Sequence, residues 1–518
     1  MLARLIRYTF RLFAAFMLLS GFSACNKKLD LIPTSIVSQA NQWKSLEDAR
    51  SGVMGMYGLL RTALAEGNNY WLWGELRKGN FRSVTRPDLK AVIESNLKAS
   101  YPLVQNATDW RRFYAAINSC NVLIENLESC LKDQRYTEAY YDLDIAQARA
   151  LRAFTYFLMV RIWGDVPLIT TSGEGKNFEQ IARTSEAHVL SFAKAELEAV
   201  AKDLPFIYSG EDLEFKFPTN YYDRGSGFWL NAPFTRLAAY AILAHISAWQ
   251  GSYLDVATYT DFVISNADKA NVYLTTTDNL VSPQGLFAGG FDNYRQLVAF
   301  PFIKDRGETT IDGHIENLTL ANTTAFAMSK QLPDIYVPKE RITSIFFEAD
   351  DDRFSINQDV SPPQYRTAYF ENFNAEIPVF KKIRVIDGGQ FNNGKFAVFN
   401  SSIIFTRLEE IKLLKAEAMA VLGNNQQAFL GLNEIRLQRG LPIALVNDKE
   451  NLLYAIFTER TRELMGEGWF WYDLIRFNKL LHFDNQLTTW TGNGGIYWPV
   501  SNDVLKRNPK ITQTEFWK

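Results

Sequence analysis

Glu459, Glu463 and Glu467 follow one another at four-residue steps, so on a helix they stack along one face. Paired carboxylates are the equipment of glycoside hydrolysis, but an acid and a nucleophile must flank the bond they cleave. A stack on one helix flanks nothing, and Arg460 and Arg462 are interleaved with it. The pattern therefore reads as ion pairing among Glu459, Arg460, Arg462 and Glu463 near a helical hairpin, because partly buried charges need partners. The four histidines, His188, His245, His314 and His482, are scattered and show no ligand spacing. Asp350-Asp351-Asp352 has the oxygen chemistry for a structural calcium, but the EF-hand pattern is missing and the run reads as a turn. There is no Gly-x-Ser-x-Gly elbow and no phosphate-cradling glycine loop. We expect no catalytic residue, no cofactor and no metal.

Binding chemistry is better represented. The chain has 12 Trp and is 14% aromatic, more flat amphipathic surface than a core requires. Trp71 and Trp73 fall in a stretch, Gly67 to Lys90, that reads as a loop dense in rings and polar groups. Phe291, Tyr294 and Phe302 form a second aromatic group, and Tyr365, Tyr369 and Phe370 a third. A sugar ring has an apolar C–H face, which a flat aromatic covers, and a rim of hydroxyls, which amide, carboxylate and guanidinium groups satisfy. The candidate ligand-binding set is Trp71, Trp73, Asn80, Arg82, Asp292, Tyr294, Arg295 and Tyr365. Against each single ring stands the alternative that it anchors a loop to the frame.

The elements that must position these groups are helices. Leu408, Ile411, Leu414, Ala418 and Val421 recur at three- and four-residue steps over Arg407 to Leu422. Gly423-Asn424 closes that helix, and a second runs from about Gln426 to Arg439. A third carries the charged run, breaks at Gly466 and Gly468, and resumes with Trp469 to Arg476. Further helices are expected at Ser45 to Leu64, Trp110 to Leu131, Tyr136 to Trp163, Ser185 to Leu204, Thr235 to Trp249 and Tyr253 to Ala267. Ser45 caps the first of these, with Asp48 three residues on. At least three hairpins of about 34 residues resemble tetratricopeptide units without the full consensus. The fold class is mainly α, a scaffold of such hairpins. Residues 271 to 405 lose helical periodicity and form a loop-rich insertion with short β pieces at Gln296 to Ile303 and Ile377 to Val385.

Composition and termini narrow the class. A net charge of −2 without a long basic run argues against nucleic acid. The first 24 residues read as a signal peptide: Arg4, Arg7 and Arg11, then an apolar run from Leu12 to Leu19 too short to span a bilayer. Phe22-Ser23-Ala24-Cys25 resembles a lipoprotein cleavage box, which makes Cys25 the lipidation site. The mature chain, from 25 to 518, is read as one domain with parts 29–270, 271–405 and 406–518. Its membrane link is acyl chains only, and Asn26 after the cysteine favours the outer membrane. Cys120 and Cys130 share a helix about 15 Å apart in rise, too far for a disulfide, and read as core thiols.

A family resemblance appears in the motifs. Ile411 to Ala418, Gly423-Asn424, Asn433 to Arg436, Glu459-Arg460 with Glu463-Leu464, Glu467-Gly468-Trp469 and Tyr472 to Arg476 together resemble the C-terminal signature of the SusD/RagB family. Ala148 to Phe157 with Gly164-Asp165-Val166-Pro167 resembles its internal block, and Trp498-Pro499-Val500 its ending, where Val500 stands in place of a commoner Ile-Pro. The resemblance implies a SusD-like α–α superhelix and a nutrient-binding surface lipoprotein of the outer membrane. It also implies a TonB-dependent, SusC-like transporter as partner. The expected ligand is an oligosaccharide. A peptide, as for RagB-like relatives, is the alternative, and a glycan-cleaving enzyme comes third.

Overall fold

The computed structural model describes residues 42–518 apart from 174–179, 209–211, 213, 215–219, 230–232, 291–293, 309, 311, 325–327 and 389–396. The signal peptide, Cys25 and Asp292 lie outside the described residues.

Helix α1 (Leu46–Ala65) starts at Ser45, whose side chain accepts the Asp48 N–H while Asp48 reaches back to the Ser45 N–H. That reciprocal pair satisfies two of the otherwise orphaned donors of a helix start. Helix α1 packs on α2 (Arg111–Asn126), and α3 (Glu138–Trp163) packs on α4 (Glu186–Val200). Two further pairs are α5 (Arg236–Gln250) with α6 (Tyr253–Ser265), and α7 (Leu408–Val421) with α8 (Asn425–Gln438). Small residues let the backbones approach: Ala416 and Ala420 of α7 meet Ala428 and Leu432 of α8 in one buried cluster. α6 also packs on α7, which joins two pairs into a continuous array. Helix α9 (Lys449–Glu463) leads to α10 (Phe470–Leu481). The architecture is mainly helical, as expected. Cys120 lies on α2 and Cys130 just beyond it; both are free and buried, and burial pushes their thiols up to about 12 and about 11.

The insertion carries four two-stranded antiparallel ladders. β1 (Gln296–Phe300) pairs with β8 (Ile403–Arg407), all ten residues buried. β2 (Ser355–Asn357) pairs with β3 (Gln364–Arg366), β4 (Phe370–Glu371) with β5 (Val379–Phe380), and β6 (Ile386–Gly388) with β7 (Ala397–Phe399). The central ladder is buried on both faces, with Phe154 of α3 edge-on to Phe405 at 4.9 Å and Arg407 reaching the buried carboxylates. Ser45–Lys518 cluster as one compact unit.

The charged helix is internal. Glu463 is fully buried and shared by three guanidinium groups: Arg439 at 2.7 and 2.9 Å, Arg407 at 2.9 Å and Arg353 at 3.0 Å. Burial alone would raise its pKa, but Arg439 and Arg407 hold the carboxyl well below the usual range. Glu467 accepts from Arg407 and from the buried Lys382, and Glu459 accepts from Arg353 at 2.7 Å. Arg462 pairs with Glu459 at 3.8 Å, as expected, and more closely with Glu348, whereas Arg460 pairs with Asp473 and Glu410. Pairing was legible in the sequence; most of its partners, drawn from the insertion, β8, α7, α10 and the end of α8, were not. Asp351 of the acidic run is the chelate partner of Arg353, and Asp352 pairs with Arg366. Among the described residues no group of three or more His, Cys, Asp or Glu is arranged to hold a metal ion.

Removing one member of a buried charge cluster strands the others. Glu463→Ala is expected to lose about 3–5 kcal/mol of stability, read as a lower urea midpoint. Arg135→Ala, which breaks surface pairs with Glu47 and Asp133, should leave the urea midpoint nearly unchanged.

Candidate functional site

The stretch read as a loop from Gly67 to Lys90 is largely ordered helix. Asn69–Trp71 is α-helical, Leu72–Leu76 forms one π turn, and Pro87–Ile93 is a further helix. The cause is a distant contact. The buried Glu75 carboxylate accepts the N–H of Gly466 at 2.9 Å and of Gly468 at 3.0 Å. Gly74 lies against the same bend, where a Cβ would stand 2.0 Å from the Gly468 oxygen. Gly468 has φ +79°, and a Cβ there would meet the Tyr70 ring at 2.5 Å. The aromatic segment is thus docked on the break between α9 and α10.

Trp71 and Trp73 are consequently both 2% exposed. The Trp71 indole N–H donates to Gly466 O, and that of Trp73 to Ala107 O. The Trp73 ring is flanked by Phe113 at 5.5 Å and Trp163 at 5.6 Å. Neither ring has a free face for a sugar in this conformation. Asn80 is also buried and accepts from Arg341 Nε; its Nδ2 has no partner among the described residues. Arg82 is exposed, with its guanidinium on the Gly79 and Phe81 carbonyls. Tyr294 and Arg295 are half-buried, Arg295 lying 4.3 Å over Tyr273. Tyr365 is 41% exposed on β3. Phe302, Tyr369 and Phe370 are core residues.

Two open clefts flank the 66–94 segment. One, of about 430 Å³, is lined by Lys78, Arg82, Ser83, Lys90, Ile93 and Glu94 and contains no ring. The other, of about 410 Å³, lies between the end of α1 and the start of α2. Trp73 and Phe113 supply its apolar wall, and Glu66, Asn69, Asn106, Asp109, Arg111 and Arg112 its polar groups. Both volumes fall in the range of about 300–1,000 Å³ usual for small-ligand sites. In the second cleft Arg112 is paired with Glu66, and Arg111 with Asp109 at 2.5 Å. Asn106, Arg111 and Arg112 are exposed. Tyr294 lines a third, narrow space of about 40 Å³ with Tyr208 and Trp229. The predicted residues are therefore split among several places rather than gathered into one. The residues missed were Asn69, Asn106, Asp109 and Arg112. Their signal was present at the start of α2, where Asn106 to Arg112 concentrates amide, carboxylate and guanidinium beside Trp110.

A crystal structure of a SusD superfamily protein from Bacteroides thetaiotaomicron is 42% identical, with a TM-score of 0.82, covering 92% of this chain and 100% of that one. The chain belongs to the SusD family. Residues 357–493 match the model described as SusD family, and 83–219 match one described as starch-binding associating with outer membrane. SusD-like protein P38 of Formosa agariphila is 26% identical, with 96% of each chain covered. Bacteroides fragilis NanU shares the fold, with a TM-score of 0.70 at 20% identity over 94% of this chain and 99% of its own. Asn106, Asp109, Arg111, Arg112 and Phe113 of the cleft lie within the second of these matched stretches, whereas Glu66, Asn69 and Trp73 precede it. Among the described residues no helix is long and apolar enough to cross a membrane.

Burial pushes the Glu75 carboxyl up from the usual carboxylate range to about 7, against the two glycine N–H bonds that favour its charged form. A raised carboxyl pKa means that the folded state holds the proton more tightly. Its contribution is most favourable below about 4.5 and declines as pH rises through 7. Glu75→Gln cannot ionise and lacks that decline. Between pH 4.5 and 8 the stability difference should move toward the variant by up to about 3 kcal/mol, measured by urea unfolding at each pH.

Proposed function

We propose that this protein is a non-enzymatic lipoprotein that captures oligosaccharides at the outer-membrane surface and delivers them to a TonB-dependent, SusC-like transporter. The observation that carries this reading is the cleft between α1 and α2. An apolar wall of Trp73 and Phe113 meets amide, carboxylate and guanidinium groups at a single opening. The polar rim suits the hydroxyls of a sugar, and the buried Trp73 and Phe113 back the cleft as an apolar floor without offering a ring face for stacking. The family model described as starch-binding associating with outer membrane supports the same class of ligand and place. Capture needs no covalent step. The stacked carboxylates Glu459, Glu463 and Glu467 support this reading too, because each is occupied by buried cations instead of facing a cleft. Acyl chains on Cys25 would hold the protein at the membrane, and closure over the transporter would trap the ligand between the two.

The alternating charges of the rim, Glu66 with Arg112 and Asp109 with Arg111, would also suit the termini of a peptide. One experiment separates the readings. Purified protein is run through gels containing soluble glycans, and titrated with neutral oligosaccharides and with short peptides. Retardation by a glycan without released product is expected. Asn106→Ala combined with Arg112→Ala should weaken glycan affinity about tenfold, the equivalent of about 1.4 kcal/mol. Both positions are exposed, so the fold should be kept. Binding of peptides alone, or turnover of any glycan, overturns the proposal.

A further inference from the structure

Another cleft has a different chemistry. It measures about 110 Å³, and its lining includes Tyr57 and Arg61 of α1, Phe228, Trp229, Phe300 and Arg306. Its rings are fixed from behind. The Trp229 indole N–H donates to Tyr221 O at 2.8 Å, and Tyr57 sits edge-on to Phe234 at 5.5 Å. The Tyr221 and Tyr222 hydroxyls donate to the buried Asp144 carboxylate, which seats this wall on α3.

Positive charge gathers at its mouth. The Arg306 guanidinium lies 4.0 Å over Phe228 and donates to Phe228 O at 3.1 Å. Arg224 stands 5.2 Å from the same ring. Arg61 donates to Pro301 O and Glu308 and lies 4.6 Å over Phe302. Glu308 is the carboxylate that pairs with Arg61 and faces Arg306. Partial burial lowers the Arg306 pKa, and Arg61 and Arg224 push it the same way while Glu308 opposes them. The local balance is therefore an excess of cation. A guanidinium lying on a ring face still presents N–H donors along its planar edge, the geometry that receives a carboxylate in two parallel bonds.

We propose that this cleft is a second ligand site, specific for the carboxylate-bearing residue of an acidic oligosaccharide. Arg306, with Arg61, would take the carboxylate at the mouth, and the buried Trp229, Tyr57 and Phe300 would close the space behind it without offering a stacking face. The inference rests on the glycan-capture reading but on residues separate from those of the α1–α2 cleft.

The test uses calorimetric titration of the whole mature protein at low salt. The probes are a uronate-terminated disaccharide, its methyl ester, the neutral hexose disaccharide and a dipeptide with a free carboxyl terminus. The uronate should bind at least tenfold more tightly than the ester, and less tightly as salt rises. Arg306→Gln should lose at least tenfold for the uronate, while Asn106→Ala with Arg112→Ala leaves it unchanged. Arg306 is exposed, and thermal melting checks that the variant folds. Equal binding of ester and acid, an unchanged affinity in Arg306→Gln, loss in the Asn106/Arg112 variant, or preference for the dipeptide would each overturn the assignment. Failure of the uronate alone, with neutral glycan binding intact, removes this site and leaves the capture reading standing.

Discussion

Glu463 is the carboxylate on which the rest of the molecule closes. Three arginines converge on it from three parts of the chain: Arg353 from the loop-rich insertion, Arg407 from the central ladder, and Arg439 from the end of α8. In a low-dielectric interior such a group would be costly if any partner were missing. Each arginine is also tied elsewhere. Arg439 donates to Thr275 O, Arg407 to Glu467, and Arg353 to Asp351. The insertion is therefore clamped to the helical frame by charge at its root, and long loops can leave that root without loosening it.

A second carboxylate, Glu75, performs the matching task for the N-terminal part. Its two oxygens hold the N–H groups of Gly466 and Gly468, where the backbone between α9 and α10 makes its bend. Both glycines adopt the left-handed region that side chains rarely tolerate. The segment so docked runs directly into the two open clefts. The walls of the candidate binding region are consequently set by the same break that aims the Glu463 helix. Rigid walls suit a capture protein, because order already present in the free state lowers the entropy lost on binding.

Much of the helical frame was legible. Apolar stripes at three- and four-residue steps, Ser45 with Asp48, and Gly423-Asn424 are local signals, and the observed helices lie within a few residues of those expected. The exception is instructive. Tyr70, Trp71, Trp73 and Arg77 looked like solvent-facing loop chemistry because nothing near them in sequence reveals a partner. The partners are remote: Gly466 for Trp71, and the carbonyls of Gly495 and Ile496 for Arg77. Aromatic residues were thus read by type where tertiary contact decided their use. Of the binding set, Trp73 and Arg82 line open clefts and Tyr294 a narrow one, but Trp73 does so as part of a packed wall. Charge pairing was inferred for Arg460 and Arg462, yet their partners, Asp473, Glu410 and Glu348, required the fold.

The span of the Glu75 contact has a consequence for how the chain is made. Glu75 and Gly466 are 391 residues apart. At synthesis rates of about 5–20 residues per second, roughly 20–80 s pass before the second partner exists. Throughout that interval Tyr70 and Trp71 lack the Ile404 and Gly466 carbonyls that receive them, whereas Trp73 can already pack on Phe113 and Trp163. A nascent chain with two such side chains waiting for their partners is a natural client for a holding chaperone, and release is productive only once the C-terminal bend has emerged.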